Sequence, residues 1–173
     1  MPVEERSSAA TLRGNSFTVL GRELRPGDTA PNFSLVGAGN STVSLQDSAG
    51  KVRLISCVPS LDTPVCSTET QKWEAKRPSL GDVELITISM DLPPAQARWS
   101  GEHGVQHAVL SAHKNEQFGI DYGVLIKELR LLQRSVFVVD SDDKVRYVEY
   151  VQEIPFEPDY DEAMQALKAI GGS

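Results

Sequence analysis

Val52-Arg53-Leu54-Ile55-Ser56-Cys57-Val58, continuing into Pro59-Ser60-Leu61-Asp62-Thr63-Pro64-Val65-Cys66, is the stretch on which the fold turns. Its first seven residues are mostly apolar, with β-branched side chains at Val52, Ile55 and Val58. That composition predicts a central strand covered on both faces. Beyond the turn, Cys66 to Lys76 contains no Gly or Pro and stops before Pro78, which predicts a helix. Thr63 is a favourable N-cap. Pro64 suits the first helical position, because its missing N–H would lack a partner there anyway. This register puts Cys66 in the first turn, where unpaired backbone N–H groups and the helix dipole favour an anion such as a thiolate. Thr63-x-x-Cys66 also has the spacing of a capping box, with sulfur in the place of Glu, so the Thr hydroxyl and the sulfur are expected to be neighbours. The junction is built as a nucleophile's seat.

From Val52 onward the pattern runs strand, helix, strand (Val83 to Ser89), helix (Pro94 to His103), then the apolar run Ala108 to Ser111. A short helix is expected from Asn115 to Tyr122. A β-hairpin follows, Val136 to Asp140 and Val145 to Val151, around the polar turn Ser141 to Lys144. A closing helix is expected from Asp159 to Ile170, with Asp159, Asp161 and Glu162 at its start and Gly171 as its stop. Upstream, residues 1–10 are polar and patternless, which reads as a loose tail. Phe17-Thr18-Val19-Leu20 and Glu23-Leu24-Arg25 flank Gly21-Arg22 like a hairpin, and Asn32 to Val36 and Thr42 to Leu45 read as two more strands. Strands alternating with helices, then a hairpin and a last helix, predict an α/β chain with the order of a thioredoxin fold.

A length of 173 residues fits one domain, residues 1–173, within the usual ~100–200. Net charge −7 and a pI near 5.0 argue against nucleic acid, which needs a basic stripe. No run approaches the ~18 apolar residues of a membrane span, and no apolar signal core opens the chain, so a soluble cytoplasmic protein is expected. Two cysteines suggest redox or packing roles rather than a disulfide scaffold. His103-x-x-x-His107 has i,i+4 spacing, but Gly104 follows and no third ligand is near, so no metal is expected. Glu116, Asp121 and Glu128 read as a solvated face. With no Gly-rich phosphate loop, no organic cofactor is expected either.

Pro59-x-x-x-Thr63-x-x-Cys66 closely resembles the active-site signature of the peroxiredoxins. Together with Ser89-Met90-Asp91-Leu92-Pro93, Ala95-Gln96-Ala97-Arg98-Trp99 and Arg134-Ser135-Val136-Phe137-Val138-Val139-Asp140, it is similar to the bacterial thiol peroxidase branch, from about Leu12 to the last helix. The resemblance implies a peroxiredoxin-type thioredoxin fold with an N-terminal β-hairpin extension. It also implies a homodimer and a peroxidase acting on hydrogen peroxide and alkyl hydroperoxides, with thioredoxin as reductant. By the same resemblance Cys66 is the attacking thiol, Thr63 holds sulfur and peroxide together, Pro59 shields the sulfur, and Arg134 favours the thiolate and steadies the peroxide. Arg134→Met is then expected to slow peroxide reduction far more than it lowers stability. Without the motif, Arg134 would read as a surface charge at a strand end.

Oxidised Cys66 needs a second thiol to return from sulfenic acid. The family places that thiol in a word of the form Arg-aromatic-Cys-Gly, and here the word is Arg98-Trp99-Ser100-Gly101. A serine hydroxyl cannot form a disulfide, so Ser100 marks either a replaced cysteine or a one-cysteine variant reduced by an outside thiol. Cys57, in the apolar run, reads as a core residue, and whether it reaches Cys66 stays open at this level. A peroxide sensor that passes oxidation from Cys66 to a partner protein is the alternative function; catalytic turnover with a thiol separates the two.

Overall fold

A computed structural model describes residues 2–171. In chain order its elements are β1 (Glu5–Leu12), β2 (Asn15–Leu20), β3 (Ser34–Val36), β4 (Thr42–Ser44), β5 (Arg53–Cys57), α1 (Pro64–Lys76), β6 (Glu84–Ser89), α2 (Pro93–His103), β7 (Ala108–Ser111), α3 (Glu116–Asp121), β8 (Leu125–Ile126), β9 (Leu131–Leu132), β10 (Ser135–Val139), β11 (Val145–Tyr150) and α4 (Tyr160–Gly171). Seven strands form the main sheet in the order β11-β10-β5-β6-β7-β3-β4. β5, β6 and β7 run parallel, while β10 lies antiparallel to β5 and to β11. All five residues of β5 are buried, as a central strand with both faces covered requires.

Alternation along β5 decides which side chain meets which layer. Leu54 faces a cluster with Trp73 of α1, Val136 and Val138 of β10, and Ala163 and Leu167 of α4. Ile55 and Cys57 face the other way, into the larger core with Phe118, Tyr122, Phe137 and Phe33. Ser56 returns to the helix side and donates to Glu69 Oε2 of α1 at 2.8 Å. Val58 follows on that side, packed with Leu61, Cys66, Trp99 and Val105. The two cysteines therefore belong to opposite faces of one sheet.

Near the N-terminus the structure corrects two expectations. Residues 5–10 are not a loose tail: they lie in β1, paired antiparallel with β2 through Glu5↔Leu20 and Ala10↔Phe17. Met1 lies outside the described residues. The strand shows no apolar alternation because tertiary contacts hold it. Arg6 donates to the carbonyls of Gly21 (2.7 Å) and Gly123 (2.9 Å) and sits over the Tyr150 ring, and Ala10 is buried with Val19 and Ile126. The hairpin turn is accordingly Arg13-Gly14, both at positive φ (48° and 89°), rather than Gly21-Arg22. Gly21 serves a close approach instead, since a Cβ there would lie 2.0 Å from the Ile120 carbonyl oxygen. Glu23 to Arg25 forms no strand; β2 pairs on its other edge with β8, and β8 with β9, completing a second sheet β1-β2-β8-β9. Two-residue strands such as β8 and β9 are too short to show a period, which is why sequence patterning passes over them.

Candidate active site

Cys66 is the third residue of α1, after Thr63 at the N-cap and Pro64 at the first helical position. The helix starts as the sequence predicts, with Ser67 N donating to the Thr63 carbonyl (3.0 Å) and Thr70 Oγ1 to the Cys66 carbonyl (2.8 Å). The capping box does not form. Thr63 Oγ1 donates instead to the Ser60 carbonyl at 2.7 Å, the same oxygen that receives Thr63 N at 3.1 Å. Donation to the Ser60 carbonyl turns the Thr63 hydroxyl toward the turn, and its oxygen receives no helix N–H. Pro59 is buried beneath this turn, while Thr63 and Pro64 are exposed at its rim. Cys66 itself has no exposed surface, being enclosed by Val58, Leu61, Trp99 and Val105.

Arg134 directly precedes β10 and is 1% exposed, so the reading as a surface charge is wrong. Its Nη1 donates to Glu69 Oε1 at 2.8 Å, and its Nη2 to the Ile154 carbonyl at 2.9 Å. Burial alone would lower the guanidinium's pKa; its interactions with the Cys66 sulfur and Glu69 more than offset this and hold it above its ordinary value. The cation therefore stands beside both the sulfur and a carboxylate. Glu69 also accepts from Ser56 Oγ (2.8 Å) and Trp73 Nε1 (3.2 Å), and burial pushes its carboxyl upward against these donors. Sequence reading missed Glu69. Its signal was its place three residues after Cys66 and four before Trp73, on one stripe of α1 with two buried side chains.

Ser100 is half-buried on α2, and its carbonyl accepts Val105 N at 3.0 Å at the end of that helix. Its neighbour Trp99 donates from Nε1 to Ser67 Oγ at 3.2 Å, which joins α2 to the residue after Cys66. Cys57 lies across the sheet. Burial pushes its thiol up to about 12; a hydrogen bond from Ser135 opposes that rise and the Glu69 charge adds to it. Both cysteines are free thiols. His103 and His107 are separately engaged: His103 Nδ1 with the Trp99 carbonyl, His107 with Thr87 Oγ1 (2.9 Å) and Glu74 Oε1 (2.7 Å).

The Redoxin family pattern matches residues 25–164, spanning the main sheet, α1, α2 and Arg134. This chain belongs to the Redoxin family. A thiol peroxidase of Halalkalibacterium halodurans is 50% identical over 163 residues, 94% of this redoxin and 98% of that protein. The crystal structure of a peroxiredoxin-like protein from Aquifex aeolicus matches with a TM-score of 0.88 and 37% identity over 98% of this redoxin and 99% of that chain. A thiol peroxidase from Chromobacterium violaceum matches with a TM-score of 0.85 and 25% identity over 92% and 95% of the two chains. The thioredoxin fold and the thiol peroxidase resemblance read from the motifs extend over nearly the whole redoxin.

Proposed function

We propose that this redoxin is a thiol peroxidase whose attacking group is Cys66; the observation that carries this is Arg134, buried and charged, beside a first-turn cysteine. A peroxide enters past the exposed Thr63–Pro64 rim. The sulfur attacks one oxygen, an S–O bond forms as the O–O bond breaks, and the second oxygen leaves as hydroxide or alkoxide that takes up a proton. Sulfur loses two electrons and the peroxide gains them, giving sulfenic acid and water or an alcohol. Arg134 stabilises the thiolate before attack and the charge on the departing oxygen during it. Thr63 keeps its proton on the Ser60 carbonyl, so its oxygen is free to accept a hydrogen bond from the peroxide. Pro59 shields the sulfur from bulk water. Hydrogen peroxide and alkyl hydroperoxides both carry the O–O bond that this attack breaks.

Return to the thiol requires an outside reductant, because Ser100 offers no thiol and Cys57 faces the other core. A dithiol protein of the thioredoxin kind fits: its first thiol forms a mixed disulfide with Cys66 and expels water, and its second releases Cys66 reduced. The resemblance further implies a cytoplasmic homodimer joined near the active site. Leu92 and Phe156, 57% and 65% exposed, would supply apolar surface there. No helix among the described residues is long and apolar enough to cross a membrane. One observation favours the sensor as a second reading: with no internal thiol to intercept it, the sulfenic acid can wait for a partner protein. Steady-state turnover decides. Ser100→Cys is expected to form an internal disulfide with Cys66 after oxidation and to raise turnover with thioredoxin above that of the parent. Equal turnover in the two proteins would show that position 100 does not resolve the sulfenic acid.

A further inference from the structure

The Ser60–Thr63 turn does not hold itself in place. Asp91, between the end of β6 and the start of α2, grips it with both carboxylate oxygens. Oδ1 accepts from Ser60 Oγ at 2.8 Å, and Oδ2 accepts from Leu61 N and from Ser89 Oγ, each at 2.8 Å. Ser89 Oγ in turn accepts from Gln96 Nε2 of α2 (2.9 Å), which also donates to the Leu110 carbonyl of β7 (2.9 Å). Ser111 Oγ donates to the backbone carbonyl of Asp91 at 2.6 Å. The carboxylate is therefore anchored from behind by β6, α2 and β7, and reaches forward to the turn. From the turn the linkage continues: the Ser60 carbonyl takes both polar groups of Thr63, and the Thr63 carbonyl takes Ser67 N. An unbroken run of hydrogen bonds leads from Asp91 to the turn of helix that carries Cys66. Arg98 of α2 adds an exposed tie to the same turn through Asp62, at 2.8 Å.

We propose that Asp91 is a positioning residue for peroxide reduction, setting where Thr63 and the first-turn amides of α1 stand relative to the sulfur. It rests on the reading of Cys66 as the attacking thiol. Peroxide reduction demands that two oxygens lie in line with sulfur while both are hydrogen-bonded, so it is sensitive to the turn. Alkylation by iodoacetamide demands only a thiolate and access to it. The two reactions on one sulfur thus separate position from mere integrity of the fold.

The test compares single-turnover rates of Cys66 with hydrogen peroxide and with iodoacetamide in the parent, Asp91→Ala, Asp91→Asn and Ser60→Ala. The parent comes first: no oxidation at Cys66 there contradicts the peroxidase reading itself, separately from any role of Asp91. Given oxidation, Asp91→Ala is expected to slow the peroxide reaction by ~10²-fold, since misplacement by about an ångström costs that much in a positioned reaction. Alkylation should hold or rise, because Leu61, which covers Cys66, is released with the turn. Asp91→Asn should keep most of the peroxide rate. Its oxygen still accepts from Leu61 N and Ser89, and its amide can donate to Ser60 Oγ. Ser60→Ala, which removes one link only, should fall between the two. An unchanged peroxide rate in Asp91→Ala, or equal losses in both reactions, would overturn the proposal. If Asp91→Ala does not fold, the milder pair decides: a slower peroxide reaction in Ser60→Ala than in Asp91→Asn supports it, and equal rates overturn it.

Discussion

Replacing Arg134 with methionine should slow oxidation of Cys66 by ~10²–10³-fold, the usual consequence of removing one charge-stabilising donor from a catalytic site. It should also destabilise the protein by ~3–5 kcal/mol, because breaking a buried ion pair strands the partner charge. The motif alone suggests a loss of rate with little loss of stability. The geometry changes that expectation, since the side chains of Arg134 and Glu69 are 1% and 0% exposed and bonded at 2.8 Å. Adding Glu69→Gln to Arg134→Met should recover part of the stability, as no unpaired carboxylate then remains, but none of the rate. Stopped-flow oxidation and thermal melts on the single and double variants check both halves. A double variant that regains the parental rate would remove Arg134 from the chemistry.

At pH 7 iodoacetamide should place one label on the folded protein, at Cys66, and reach Cys57 only after denaturation. Cys57 lies in the core on the other face of the sheet from Cys66, and burial pushes its pKa up to about 12 from an ordinary 9.0. Each unit is tenfold in thiolate, so Cys57 carries about a thousandfold less of the reactive form than an unperturbed cysteine. Peptide mapping after labelling reads the ratio. Comparable labelling of Cys57 in the folded state would mean that the central sheet opens readily and would restore Cys57 as a candidate resolver.

The path from β5 to Cys66 was legible in the sequence because each local signal agrees with the others. An apolar β-branched run, a Thr-Pro helix start and a cysteine three residues past the N-cap admit one arrangement, and the structure adopts it. Where sequence reading failed, a tertiary partner had displaced a local one. Thr63 has the spacing to cap α1, yet its hydroxyl is turned to the Ser60 carbonyl of the turn that Asp91 holds, and it accepts no helix N–H. β1 has no amphipathic pattern, because Arg6 pins it to carbonyls 15 and 117 residues away. Arg134 at a strand end carries no mark of burial; only the fold brings Glu69, 65 residues distant, against it. Asp91 lies in the word Ser89-Met90-Asp91-Leu92-Pro93, which by itself gives it no role. Its task depends on three segments meeting at the ends of β6 and β7, which one-dimensional spacing does not express.

On the proposed chemistry, peroxide oxidises Cys66 to a sulfenic acid that no thiol of the same chain resolves. Intact mass spectrometry on the reduced protein after one equivalent of hydrogen peroxide reads this outcome. The predicted product gains one oxygen, mapped to Cys66, and excess peroxide adds a second oxygen there as sulfinic acid. A monomer that instead loses two hydrogens would place Cys57 and Cys66 in one disulfide across the sheet, and would contradict the account.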